Sequence, residues 1–302
     1  MPKKILTPFE KNLLARIKTY EHPPRVALSR RFPLLKKPII KTRHVSRHVQ
    51  NALDPRIRSR RHPDYFSAVV ARHQSVLRRR LGDSDARLQE QKVTNLRQAA
   101  AKLDGLVIPA GKIFSLWKVI GRPTYAKGYV DGMLLAGGRV VEGLGGGLCQ
   151  LSNFLYWILL HAPFETVERY HHSLDVFPDS GRTLPFGSGA TILYNFIDLK
   201  MRNVSDQPLQ IKLWLSDKYL KGQILAAASV PQKFHVFERN HAFVKRGKTY
   251  YRYNEICRET LVNGAVTKTE QIAINFAPVL YRVSQKYLSD NQFTVIDLTG
   301  VR

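Results

Sequence analysis

The chain has 302 residues, 44% of them hydrophobic, which excludes a wholly disordered chain and leaves room for one large domain or two modest ones. Its 48 lysines and arginines face 23 acidic residues, a net charge of +25, and residues 1–80 hold 21 of the basic residues and 4 of the acidic ones. The two cysteines, Cys149 and Cys257, exclude a disulfide framework and an all-cysteine zinc site, and they suit a reducing compartment.

Residues 1–63 read as a basic arm punctuated by Pro23, Pro24, Pro33, Pro38 and Pro55. A short helix is expected over 9–20, with Leu13, Leu14 and Ile17 on one face. Such an arm is either a solvated extension or a contact for a polyanion. Arg58, Arg60 and Arg61 suit phosphate, but few aromatics are present to stack bases. An anionic surface is therefore preferred to nucleic acid as partner. No long apolar run follows the basic N-terminus, and the apolar stretch 155–160 is too short to cross a bilayer. The expected location is cytoplasmic, or peripheral at the inner face of a membrane.

Residues 64–230 form the central region. Phe66, Val69, Val70, His73, Val76 and Leu77 follow helical spacing. A second helix is expected from Asp83 or Ser84, carrying Leu88, Leu96, Ala99, Ala100 and Leu103 and stopping before Gly105. Beyond it the text turns to strands. Residues 113–116 read as extended, and 133–141 as a hairpin about Gly137-Gly138. One helix, 148–161, is introduced by glycines and ends before Pro163. Strands are expected at 166–170, 191–202, 209–215 and 220–228, the last two joined by a turn at 216–219. Residues 231–302 form a β-rich extension, with a strand at 250–262 closed by Asn263-Gly264. The fold class is α+β: a helical, basic N-terminal part followed by a largely antiparallel β domain.

Chemistry concentrates in Gly145-Gly146-Gly147-Leu148-Cys149-Gln150. Three glycines let the backbone turn sharply and approach a ligand. Cys149 then falls in the first turn of a helix, beneath unpaired amides that lower a thiol's pKa and could hold an oxyanion. The competing reading is a buried structural cysteine behind a tight turn. Farther on stands Glu168-Arg169-Tyr170-His171-His172-Ser173. On a strand, adjacent histidines point to opposite sides, so one of them could serve as base to the thiol. A metal site from Cys149, His171, His172 and Asp175 matches no standard spacing. No cofactor is expected.

Several blocks in order resemble the VanW family. They are Asn95-Leu96-Arg97, Ile108-Pro109-Ala110-Gly111, Gly121-Arg122-Pro123-Thr124, the glycine–cysteine–glutamine core, Glu168-Arg169 with His172-Ser173, Ala190-Thr191, and the stretch from Leu199 to Asn203. The resemblance covers roughly residues 90–215. It implies an association with glycopeptide resistance and peptidoglycan metabolism, and a peptidoglycan stem peptide or precursor as partner. Two activities fit: an L,D-transpeptidase-type cysteine acyltransferase, or a non-catalytic accessory protein that binds wall precursor or resistance partners. Carried over by the resemblance, Cys149 is the nucleophile and His172 the base. On strand alternation, His172 faces the thiol and His171 points away. Gly146, Gly147, Gln150, Arg169, Ser173 and Asp175 support the pair. One departure stands out: Gly189 occupies a place where many family members carry an aspartate, and Asp175 or Glu168 is the expected substitute.

Overall fold

The computed structural model describes residues 6–21, 36–78, 86–136, 139–171, 174–176, 178 and 183–301. Six helices are used below: α1 (Pro8–Glu21), α2 (Lys36–Leu53), α3 (Ala86–Leu103), α4 (Leu116–Ile120), α5 (Leu148–Leu160) and α6 (Gln285–Asp290). The α+β class holds, with antiparallel pairing dominant.

The central sheet has five antiparallel strands. Their order is β1 (Arg60–Arg61), β3 (Leu106–Ile108), β9 (Leu209–Leu215), β10 (Tyr219–Ala226) and β2 (Ala68–Val76). Helices α3 and α5 pack against this sheet. Helix α3 buries Leu96, Ala99, Ala100 and Leu103, and α5 buries Leu151, Phe154, Leu155, Ile158 and Leu159, all in one apolar core. Spacing at i, i+3 and i+4 gives each helix one wide apolar stripe, and burying it is the main source of stability here. Phe154 sits so close to Gly222 of β10 that a Cβ there would lie 2.9 Å from its ring.

Two smaller sheets frame the site. One joins β4 (Ile113–Ser115), β8 (Lys200–Asn203) and β7 (Phe164–Glu168); the other is the hairpin of β5 (Asp131–Ala136) and β6 (Arg139–Leu144). The hairpin expected over 133–141 is thus present, while Gly137 and Gly138 lie outside the described residues, as do Asp83 and Ser84.

A second apolar cluster belongs to the C-terminal sheet. Its order is β13 (Ala265–Pro278), β12 (Thr249–Val262), β11 (Gln232–Arg246) and β14 (Thr294–Asp297), with β14 parallel to β11. Asn263 and Gly264, at φ 52° and 82°, make the tight turn between β12 and β13. Helix α1 caps this sheet, burying Leu13, Leu14 and Ile17 against Tyr251, Tyr253, Phe276 and Val244. Residues 1–63 are therefore not one detached arm, since α1 supplies part of the core of residues 231–302.

Two sequence-based expectations are corrected. The stretch from Phe66 to Leu77 is not helical, because Ala68–Val76 is strand β2 on the edge of the central sheet. A register shift opposite Ile224 and Leu225 leaves Val70 unpaired. That bulge breaks the alternation of a strand, so Val69, Val70 and His73 imitate helical spacing. The strand expected over 191–202 shrinks to Lys200–Asn203. Asn195, at φ 48°, turns the chain between Leu193 and Ile197. The Asp198 carboxylate then accepts from the amides of Trp117 and Leu199 and from the Ser115 hydroxyl, which fixes a loop.

Candidate functional site

The glycine run is shaped by what presses on it. Asn95, fully buried on α3, donates from Nδ2 to the carbonyls of Val130 and Gly146, both at 2.9 Å, and accepts from the Val130 amide at 2.9 Å. A Cβ on Gly146 would lie 2.0 Å from the carbonyl carbon of Gly132. Gly147, at φ 93°, presses its Cα against the stem of Lys92, where a Cβ would meet Cγ at 2.1 Å. Only glycine fits either place. Gly147 is the N-cap, α5 begins at Leu148, and Cys149 is its second residue, as the sequence predicts.

Gln150 reaches sideways from that first turn. Its amide nitrogen, Nε2, donates to the Val76 carbonyl at 2.8 Å and to the Ser75 hydroxyl at 3.2 Å, tying α5 to the edge strand β2. Gln150 therefore fixes the helix start.

Cys149 opens on a cavity of about 370 Å³. Its walls come from Cys149 and Asn153 of α5, His73 of β2, Leu134 of β5, His171, and the loop carrying Phe186. Cys149 is half-buried by surface, yet enclosed enough that burial pushes its thiol above the ordinary cysteine range. The Ile192 amide opposes this by donating to the sulfur. The acidic thiol expected at a helix start is thus not what the resting site holds, because desolvation outweighs the stabilisation of the thiolate. His73 is half-buried against Phe154, ring centroids 5.1 Å apart. Burial, with a further contribution from His161, lowers its pKa to about 4.

The loop wall is held from behind by Arg169. Its Nε donates to the Gly189 carbonyl at 2.9 Å, its Nη2 donates to the Gly187 carbonyl, and its guanidinium lies 5.0 Å from the Tyr156 ring centre. Asn254 and Asn275 hold the Phe186 carbonyl from the C-terminal sheet. Asp175, nearly fully buried, also lines the cavity. Its Oδ2 accepts from Tyr281 at 2.9 Å and pairs with buried Arg252 at 3.4 Å, so this oxygen serves the link to the C-terminal sheet. Glu168 pairs with Arg47 and Lys200 and is not among the residues that line the cavity.

Asn153 accounts for Gly189. Its Oδ1 accepts from the Ala190 amide at 2.7 Å, and a Cβ at position 189 would lie 2.4 Å from that oxygen. An aspartate at 189 could not fit beside Asn153 without a shift. With Oδ1 committed, the amide is oriented, and Nδ2 has no hydrogen-bond partner among the described residues. Asn153 lies four residues beyond Cys149 on the same helix face.

His172 and Ser173 lie outside the described residues. His171, expected to point away from the thiol, instead lines the cavity. Strand alternation does not govern it, because β7 ends at Glu168 and only an isolated bridge at Tyr170 follows. The structure brings Cys149, Gln150, Gly147, His171 and Asp175 to one cavity, with Arg169 behind its wall. Sequence reasoning named Asn95 only within a family block, and it missed Asn153, His73 and Lys92 as site residues. Asn153 and Lys92 share helical faces with motif residues, Cys149 at i+4 and Asn95 at i+3, which is the signal that could have found them. Among the described residues, no three His, Cys, Asp or Glu side chains are grouped so as to hold a metal ion. No described helix is long and apolar enough to cross a membrane.

The chain is similar to the vancomycin B-type resistance protein VanW of Enterococcus faecalis (strain ATCC 700802 / V583), 34% identical over 176 residues, which is 58% of this chain and 64% of that protein. It is also similar to the uncharacterized protein YoaR of Bacillus subtilis (strain 168), 31% identical over 118 residues, 39% of this chain and 37% of that protein. The chain thus spans less than two thirds of the length of either relative. No solved structure matches. The family model described as VanW like protein matches residues 91–225, from within α3 to β10, a stretch that takes in the glycine run, Cys149, Asn153 and the Arg169-held loop; through this region the chain is similar to the VanW family.

Proposed function

We propose that the Cys149 cavity receives the peptide stem of peptidoglycan or its precursor, and that the Cys149 thiol is acylated by it. The relative from Enterococcus faecalis is named for vancomycin resistance, and antibiotic resistance acting on the cell wall is the setting proposed for this chain. One observation carries the reading. Cys149 and Asn153, the latter with its amide oriented by the Ala190 N–H, stand one helical turn apart on the wall of the same half-open, largely apolar cavity. That is the arrangement an amide substrate needs: a nucleophile, and a donor for its carbonyl or the oxyanion formed from it.

In this reading an imidazole of the 171–172 pair takes the thiol proton as sulfur attacks a stem carbonyl carbon. A carbon–sulfur bond forms, the amide C–N bond breaks, and the departing amine leaves with that proton. A second stem's amine then attacks the thioester, a new amide forms, and sulfur regains a proton as thiol. The buried thiol favours transfer of the proton in step with attack over a standing thiolate.

The raised thiol also favours a second reading: a non-catalytic accessory that binds the stem through the same cavity. Stem tetrapeptide incubated with an acceptor stem separates the two. Acylation predicts a cross-linked product that disappears in C149A while calorimetric binding persists. Binding equal in both proteins with no product supports the accessory reading, and absence of binding overturns both.

A further inference from the structure

Helix α2 presents a face that the Cys149 site does not use; no residue lines both the cavity and the groove beside this helix. It is held to the body along one side. Arg47 pairs with Glu168, Asn51 Oδ1 accepts from Lys200 at 2.7 Å, and the Asn195 amide donates to the His44 carbonyl at 2.6 Å. At about 100° per residue these three positions share one sector. Away from it stand Val45, Val49 and Leu53, spaced four apart and 55%, 49% and 75% exposed. Exposed Lys37 and Lys41 flank this stripe on one edge and Arg43 lies on the other, and the helix carries no acidic residue. Beside α2 runs an open groove of about 420 Å³, lined by Lys37, Lys41, His44, His48, Arg122 and Tyr194 together with the aliphatic Ile40 and Val45.

We propose that α2 lies on an anionic phospholipid surface. Val45, Val49 and Leu53 enter the boundary between headgroups and acyl chains, while Lys37, Lys41 and Arg122 engage lipid phosphates along the groove. An aliphatic stripe edged by cations is the pattern of an interfacial helix. Duplex nucleic acid would reward the cations but gain little from three exposed aliphatic side chains. A soluble acidic polymer would likewise use the charge and leave the stripe in water. Three aliphatic side chains also make a small patch beside the roughly 800 Å² per partner of a stable protein interface.

The full chain is sedimented with vesicles of phosphatidylglycerol and phosphatidylcholine in equal parts, and with phosphatidylcholine alone. Binding to the first and little to the second is expected. K37Q/K41Q should weaken partition by about 25-fold, roughly fivefold for each cation removed near an anionic surface. V45S/V49S, which keeps the charge, should weaken it by about tenfold through lost apolar burial. All four side chains are exposed, so unchanged melting midpoints verify the fold. As a second readout, V49W emission should shift to the blue on anionic vesicles. Unaltered binding by V45S/V49S with no blue shift overturns the proposal and leaves charge attraction alone. Failure of the unaltered chain to bind, or equally tight binding to duplex DNA, overturns it as well.

Discussion

His73 offers a measurable consequence of a cavity wall that excludes water. Its ring lies against Phe154 and burial lowers its pKa from 6.5 to about 4. The unfolded chain therefore takes up a proton on His73 before the folded chain does. The resulting stability is fully present above the unfolded value and is lost as pH falls from there toward about 4. Going from pH 7 to pH 5, a shift of this size removes about 2 kcal/mol, and partial exposure of the ring reduces that to about 1–2 kcal/mol. His161 is shifted in the same direction, by burial first, so the test must isolate His73. Urea unfolding of the wild type and of H73Q, followed by tryptophan emission at both pH values, does so. The wild type should lose about 1–2 kcal/mol more than H73Q between them. Equal losses, or a His73 ring that titrates near 6.5 by NMR, would refute the reasoning and show that water reaches the wall.

Other consequences follow from the same packing. G146A places a methyl against the backbone of Gly132 and should cost about 3 kcal/mol, read as a lowered melting midpoint; an unchanged midpoint would mean that the two backbones are not in contact. L13A empties a fully buried site between α1 and the C-terminal sheet and should cost about 2–5 kcal/mol in urea, whereas a detached arm would lose almost nothing. Alkylation of Cys149, mapped by peptide mass, should be slower at neutral pH than that of a free thiol and should keep rising above the ordinary thiol range, since burial raises its pKa. Rapid labelling at neutral pH would contradict the enclosed sulfur.

Much of the scaffold was legible because it rests on local periodicity. Leu13, Leu14 and Ile17 marked α1, the Leu88 to Leu103 stripe marked α3, and the glycines before Leu148 marked the start of α5. Asn263-Gly264 announced its hairpin. Legibility failed where tertiary structure overrides period. A bulge at Val70 disguised β2 as a helix, and the Asp198 carboxylate turned an expected strand into a loop. At the site, the place of Cys149 at a helix start was legible from its glycines, but the raised pKa of its thiol was not, because burial and the bond from the Ile192 amide arise only when distant segments pack. The absent carboxylate at 189 was visible in sequence; Asn153 filling its space was not, since the two meet only when α5 and the 184–190 loop pack. Nor could residues 1–63 reveal that α1 belongs to the C-terminal core while α2 docks on Glu168 and Lys200.

The central claim is that the Cys149 sulfur is acylated by a peptidoglycan stem bound in its cavity. Intact-protein mass spectrometry after brief mixing with a donor stem tetrapeptide, without acceptor, reads this directly. The account predicts an added mass equal to the peptide less its departing amine, mapped to Cys149, absent in C149S and reduced in N153A, which lacks the oriented amide. An unmodified Cys149 in protein saturated with the peptide would contradict acylation and leave the cavity as a binding site alone.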